Sequence, residues 1–169
     1  MATTYEIISK TTVGSGGSAS IDFTSIPQTY TDLCIKYSGR TDNGQTSNHI
    51  LMQLNGSSSS LTGIRLGGNG SSVYTASVTT GPAGHSSGSA STANTFGSSE
   101  IYIPNYTGAT NKSWSADGVS ENNGTSAAAE LNVGLWSNTS AITSIKLLPE
   151  GGASFVQHST AYLYGIKKN

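Results

Sequence analysis

A single cysteine, Cys34, leaves this chain without an internal disulfide. Within Leu33-Cys34-Ile35-Lys36-Tyr37 it reads as a small buried thiol, not a nucleophile. Charge is equally sparse: 10% of the 169 residues are Asp, Glu, Lys or Arg, against about 25% in ordinary globular chains. The net charge is −1, and the eight Lys and Arg are scattered from Lys10 to Lys168, so no basic patch marks a nucleic-acid or anionic-membrane partner. No apolar run approaches the roughly 20 residues of a membrane-spanning helix. The opening Met-Ala-Thr-Thr-Tyr-Glu-Ile-Ile-Ser-Lys lacks the basic and apolar segments of a secretion signal, so synthesis in a cytosol is expected. Heptads, fixed-period repeats and collagen-like tracts are missing too, which predicts a compact head and not a fibre shaft.

What fills the chain is Ser, Thr, Gly and Asn, with 34% of residues hydrophobic, eight of them Tyr and two Trp. The apolar residues gather into short alternating runs, unlike a disordered chain. Period-two runs at 5–13, 19–23, 33–40, 49–54, 61–66, 73–79, 100–104, 112–116, 127–136, 142–148 and 154–166 predict strands and no long helix. Their number and spacing predict one all-β domain over 1–169, an antiparallel sandwich. Asp42-Asn43-Gly44 and Asn55-Gly56 supply the turn residues a hairpin needs. The stretch 81–94, Gly-Pro-Ala-Gly-His-Ser-Ser-Gly-Ser-Ala-Ser-Thr-Ala-Asn, is so rich in Gly and Ser that an exposed, mobile loop is expected. A smaller polar insert is expected at 118–126.

No catalytic pattern emerges. The bases available near neutral pH are His49, His85 and His158, none in a nucleophile motif. His85, placed in the expected loop, would be poorly held for catalysis. Nine acids include Asp22, Asp32, Asp42, Asp117 and Glu130, but no pair is singled out as glycosidase carboxylates, and Asp32 reads as a turn or capping residue. The lone Cys and three separated His show no zinc spacing. Asp42-Asn43-Gly44 lacks the remaining ligands of a calcium loop, and Gly67-Gly68-Asn69-Gly70 lacks the Lys of a phosphate loop. The expectation is a protein without metal, cofactor or enzymatic activity.

Four segments carry a resemblance: Ile21-Asp-Phe-Thr-Ser-Ile-Pro-Gln-Thr-Tyr-Thr-Asp-Leu-Cys-Ile-Lys-Tyr-Ser-Gly-Arg40, Leu51-Met-Gln-Leu-Asn-Gly56, Ile101-Tyr-Ile-Pro-Asn-Tyr106, and Trp136 to Lys146 with the Tyr162-Leu-Tyr-Gly-Ile-Lys167 ending. Together they resemble a jelly-roll-like β-sandwich domain that recurs in structural proteins of tailed bacteriophages. The resemblance implies a non-enzymatic virion surface protein, made in the host cytoplasm, that decorates or reinforces the capsid or forms a head fibre. Its implied partners are the major capsid protein or other virion proteins and further copies of itself, a trimer above all. The alternative it implies is a tail-fibre tip that recognises host glycan. For that reading Tyr106, Trp114, Asp117 and Trp136 are the candidate binding residues, because aromatic faces stack on sugars.

Overall fold

The computed structural model describes residues 4–124 and 127–167. It is all-β, with twelve strands and one short 3-10 turn. The strands are β1 (Tyr5–Thr12), β2 (Ile21–Phe23), β3 (Asp32–Gly39), β4 (Ser47–Leu54), β5 (Leu61–Gly68), β6 (Val73–Val78), β7 (Pro82–Ser87), β8 (Gly97–Ile103), β9 (Lys112–Glu121), β10 (Ala127–Trp136), β11 (Ile145–Pro149) and β12 (Thr160–Ile166). An eight-stranded sheet in the order β1-β12-β3-β8-β9-β10-β5-β6 packs on a four-stranded sheet in the order β2-β11-β4-β7. Every pairing between named strands is antiparallel. Successive strands β2, β3, β4 and β5 switch between sheets, and β11 returns between β2 and β4. This interleaving is that of a jelly roll, with the β9–β10 hairpin placed between β8 and β5 and with β12 and β1 added beyond β3. The expected single-domain β-sandwich is therefore the observed fold.

The core arises from alternation. Leu33, Ile35 and Tyr37 of β3, Ile101 and Ile103 of β8 and Leu163 of β12 meet Ile50, Met52 and Leu54 of β4 and Leu147 of β11, all buried. The Asn55-Gly56 turn closes the end of β4, where both residues have positive φ, 52° and 72°, and the Ser57 amide donates to the Leu54 carbonyl at 3.0 Å. Neither it nor Asp42-Asn43-Gly44 makes the expected hairpin, because β3 and β5 lie in one sheet and β4 in the other. Asp32 accepts from the Asn105 amide at 2.8 Å and the Tyr102 hydroxyl at 2.7 Å, the turn-fixing role its position suggested.

The stretch 81–94 departs from expectation. Pro82–Ser87 is strand β7, and all six of its residues are buried. The segment after β7 is tied down by Arg40, whose guanidinium donates to Thr92 O at 2.9 Å, Thr95 O at 3.0 Å and Ser89 O at 3.2 Å. The physical reason is close approach. A Cβ on Gly118 would lie 2.7 Å from the His85 nitrogen, and one on Gly97 would lie 2.9 Å from the Ser87 nitrogen. Glycine and serine are abundant here because backbone lies on backbone, which composition alone cannot distinguish from a solvated loop. The insert expected at 118–126 is likewise partly strand, since β9 runs on to Glu121; residues 125–126 lie outside the described residues.

Gly134 of β10 shows how tight the interior is. A Cβ there would sit 1.9 Å from the Trp114 ring, and that buried ring is held by its Nε1 donating to the Pro82 carbonyl at 2.8 Å. Gly134→Ala should therefore destabilise the fold by about 3 kcal/mol, the upper part of the usual range for overpacking. Gly44→Ala, where a Cβ would meet nothing within 4 Å, should be near neutral. Urea midpoints for the two variants decide the point, and equal midpoints would show that Trp114 has room to move.

Candidate functional site

Two features stand out from ordinary sandwich construction, and both arise on β10. Alternation on Ala127–Trp136 buries Glu130, Asn132, Gly134 and Trp136 and exposes Leu131, Val133 and Leu135. The polarity of this strand is inverted relative to the usual apolar-in, polar-out pattern. Its neighbour β5 repeats the inversion, with Arg65 buried between exposed Ile64 and Leu66.

On the outside, register collects these residues into one surface. Val133 stands opposite Ile64, and Leu131 opposite Leu66. With Val119 of β9, Leu135 and Val73 of β6 they make seven aliphatic side chains that are 39–84% exposed. Two open grooves of about 460 and 470 Å³ cross this surface. Toward β3 the surface changes character: Asp117 faces Glu100 in register, Glu100 faces Lys36, and the Lys36–Glu100 ion pair measures 2.8 Å. Beyond that polar band lies a tyrosine patch, in which Tyr162 and Tyr164 stack with centroids 6.4 Å apart and Tyr5 meets Tyr164 edge-on.

On the inside, Glu130 lies beside two imidazoles. His49 of β4 and His85 of β7 are direct partners across their strand pair. The Nδ1 of His49 and the Nε2 of His85 are 2.9 Å apart. Glu130 Oε2 lies 3.3 Å from the first and 3.4 Å from the second. The Tyr74 hydroxyl donates to the same oxygen. Burial alone would push the Glu130 carboxyl up, but the hydrogen bonds from His49, His85 and Tyr74 outweigh it and hold it well below the usual carboxylate range. Glu130 Oε1 and His85 Nδ1 are buried without a hydrogen-bond partner among the described residues. A polar pocket of about 400 Å³, bordered by His49, His85, Tyr74, Asn69 and Asn122, opens onto the cluster.

The residues proposed for glycan stacking are not together on a surface. Tyr106, Trp114 and Trp136 are buried members of the core, and Tyr106 is anchored by its hydroxyl donating to the Pro27 carbonyl. Asp117 alone of the four is exposed. These rings were the largest apolar groups in a core short of Leu and Phe, so the interior takes them. The histidine cluster had no sequence signal in spacing, because its members come from three strands in two sheets. Comparison with protein families, curated proteins and solved structures gave no match to this chain.

Cys34 is buried as expected, in register between Tyr164 and Tyr102. Burial, with the Glu100 charge second, pushes its thiol up to about 11 from 9.0. The protonated form is thus favoured by folding. Its contribution to stability is complete below pH 9 and is lost as pH rises through 11. The native thiol should resist a disulfide reagent at pH 8 and react fully in urea, and Cys34→Ala should flatten the stability loss between pH 9 and 11. Rapid native labelling at pH 8 would contradict this.

Proposed function

We propose that this protein is a non-enzymatic surface protein of a tailed-bacteriophage virion, a capsid decoration protein, and that it assembles with further copies of itself through the aliphatic outer face of β5, β9 and β10. The observation that carries the reading is the inverted alternation: these strands bury Glu130, Asn132 and Arg65 while exposing six aliphatic side chains, with Val73 of β6 as a seventh. A patch of this kind marks an interaction surface. The four segments that resemble phage structural domains supply the virion setting. A net charge of −1 leaves little electrostatic repulsion between copies.

The face is large enough to drive self-association. About half of each aliphatic side chain remains to be buried, worth roughly 1 kcal/mol apiece, or about 7 kcal/mol for each face. Two copies in contact bury both faces, about 14 kcal/mol, against an association cost of about 4–15 kcal/mol. Of the closed assemblies, a trimer fits the threefold positions of a capsid.

Light scattering of the purified chain should give a trimer mass. Leu131→Lys with Val133→Lys should give a folded monomer, because both side chains are already half in water in the single chain. A monomeric wild type, or a trimer in the double variant, would count against the face. Electron microscopy of particles tests the setting: density on the capsid lattice supports decoration, and density at the tail tip alone rejects it.

Glycan recognition is the second reading, favoured by the tyrosine patch of Tyr5, Tyr102, Tyr162 and Tyr164, where Lys10 also lies over the Tyr162 ring at 5.3 Å. On a glycan array, binding that Tyr102→Ala and Tyr164→Ala abolish is the expected outcome of that reading. An empty array removes it.

A further inference from the structure

We infer that His49, His85 and Glu130 form a binding site for a divalent first-row transition ion, zinc foremost, that staples the two sheets together. The three residues are the one such group of His, Cys and acidic side chains among the described residues. Their donor atoms, His49 Nδ1, His85 Nε2 and Glu130 Oε2, form a triangle with edges of 2.9, 3.3 and 3.4 Å. A tetrahedral ion with ligands at about 2.0–2.2 Å has ligand–ligand edges of about 3.3 Å. A point about 2 Å from all three atoms therefore exists just off the plane of the triangle, where the ion would lie. Two imidazoles and one carboxylate are also a donor set that zinc takes with a fourth position left open. Here that position faces the polar pocket.

Proton placement gives an independent argument. Each of the two facing imidazole nitrogens carries either a proton or a lone pair. If both carry protons, two N–H groups point at each other across 2.9 Å. If either carries a lone pair, that lone pair faces the Glu130 oxygen or the other ring's lone pair across a short edge. With Glu130 as the carboxylate, every assignment leaves one edge repulsive, whereas a cation inside the triangle makes all three attractive. Glu130 Oε1, buried and without a partner among the described residues, is a further oxygen on the same carboxylate that such an ion can use.

The ligands fix what the ion does. His49 and His85 belong to the four-stranded sheet and Glu130 to the eight-stranded one, so a bound ion ties the layers across the side where β7 meets β9. Binding to the folded chain alone adds stability in proportion to ion occupancy. The inference does not rest on self-association or on the virion reading, and its test is separate from theirs.

The untagged full chain, stripped with a chelator and dialysed, should take up one zinc per chain. Cobalt in its place should show the strong visible absorption of a four-coordinate ion. At a hundredfold excess over the dissociation constant, zinc should raise the unfolding temperature by roughly 5–10 °C. Glu130→Gln and His49→Ala should each weaken zinc binding by about 100-fold or more. Should Glu130→Gln fail to fold, His49→Ala still decides the matter, because the His49 side chain is 30% exposed and its loss leaves the core intact. His158→Ala, at an exposed position, should bind as the wild type does. No uptake of zinc or cobalt, or undiminished affinity in His49→Ala, would overturn the inference.

Discussion

The contact on which the rest of the molecule depends is the backbone of β7 lying directly against β8 and β9. Stacked sheets ordinarily stand about 10 Å apart because a layer of side chains fills the space. Gly97 and Gly118 remove that layer locally, since any Cβ at either position would come within 3 Å of a β7 nitrogen. The Tyr37 hydroxyl then donates to the His85 carbonyl at 2.9 Å, and the Ser99 hydroxyl caps the His85 amide at 3.2 Å. These bonds satisfy backbone groups that burial would otherwise strand. They also set His85 beside Glu130, so the cluster is a consequence of how closely the sheets approach.

Inverted alternation on β5 and β10 needs a register lock, because a slip of one residue would exchange the two faces. Such a slip would bury Leu131, Val133 and Leu135 and recover about 3 kcal/mol of aliphatic burial. It would also expel Trp136, whose 150–250 Å² or so of buried surface is worth roughly 4–6 kcal/mol. In addition it would bring a branched side chain to the place of Gly134, under the Trp114 ring. The tryptophans outweigh the aliphatics, and the register holds with its aliphatic side outward.

The sequence made alternation, strand count and antiparallel sandwich readable because a period of two is a local property. It could not show the sign of the alternation on β10. Glu130 and Asn132 look like a solvent face and Leu131, Val133 and Leu135 like a core face, and only the position of Trp136 across from Leu61 and Lys112 reverses that reading. The Gly- and Ser-rich stretch misled for a related reason: small residues serve equally in solvated loops and in close backbone contacts, and the difference lies in Gly97 and Gly118 on other strands. Tyr106, Trp114 and Trp136 carried no mark of burial, since a chain poor in Leu and Phe can put its aromatic rings in either place. The Asn55-Gly56 turn and Asp32 could be read because their chemistry acts within a few residues or at a strand end, whereas the hairpin expected at that turn could not, since the sheet that β5 joins is decided by distant strands.

Glu130 and Leu131 are adjacent on one strand and point to opposite sides, which couples the interior cluster to the exterior face. Holding Glu130 to His49 and His85 fixes β10 against β4 and β7, and with it the height and spacing of Leu131, Val133 and Leu135 on the other side. An apolar face binds through shape as well as area, and a rigid face loses less conformational entropy on association than a mobile one. The polar interior and the apolar exterior of β10 are therefore one arrangement. Ionisable groups placed where they can clamp the sheets leave the aliphatic groups as a preorganised surface, and neither placement could change without reversing the other.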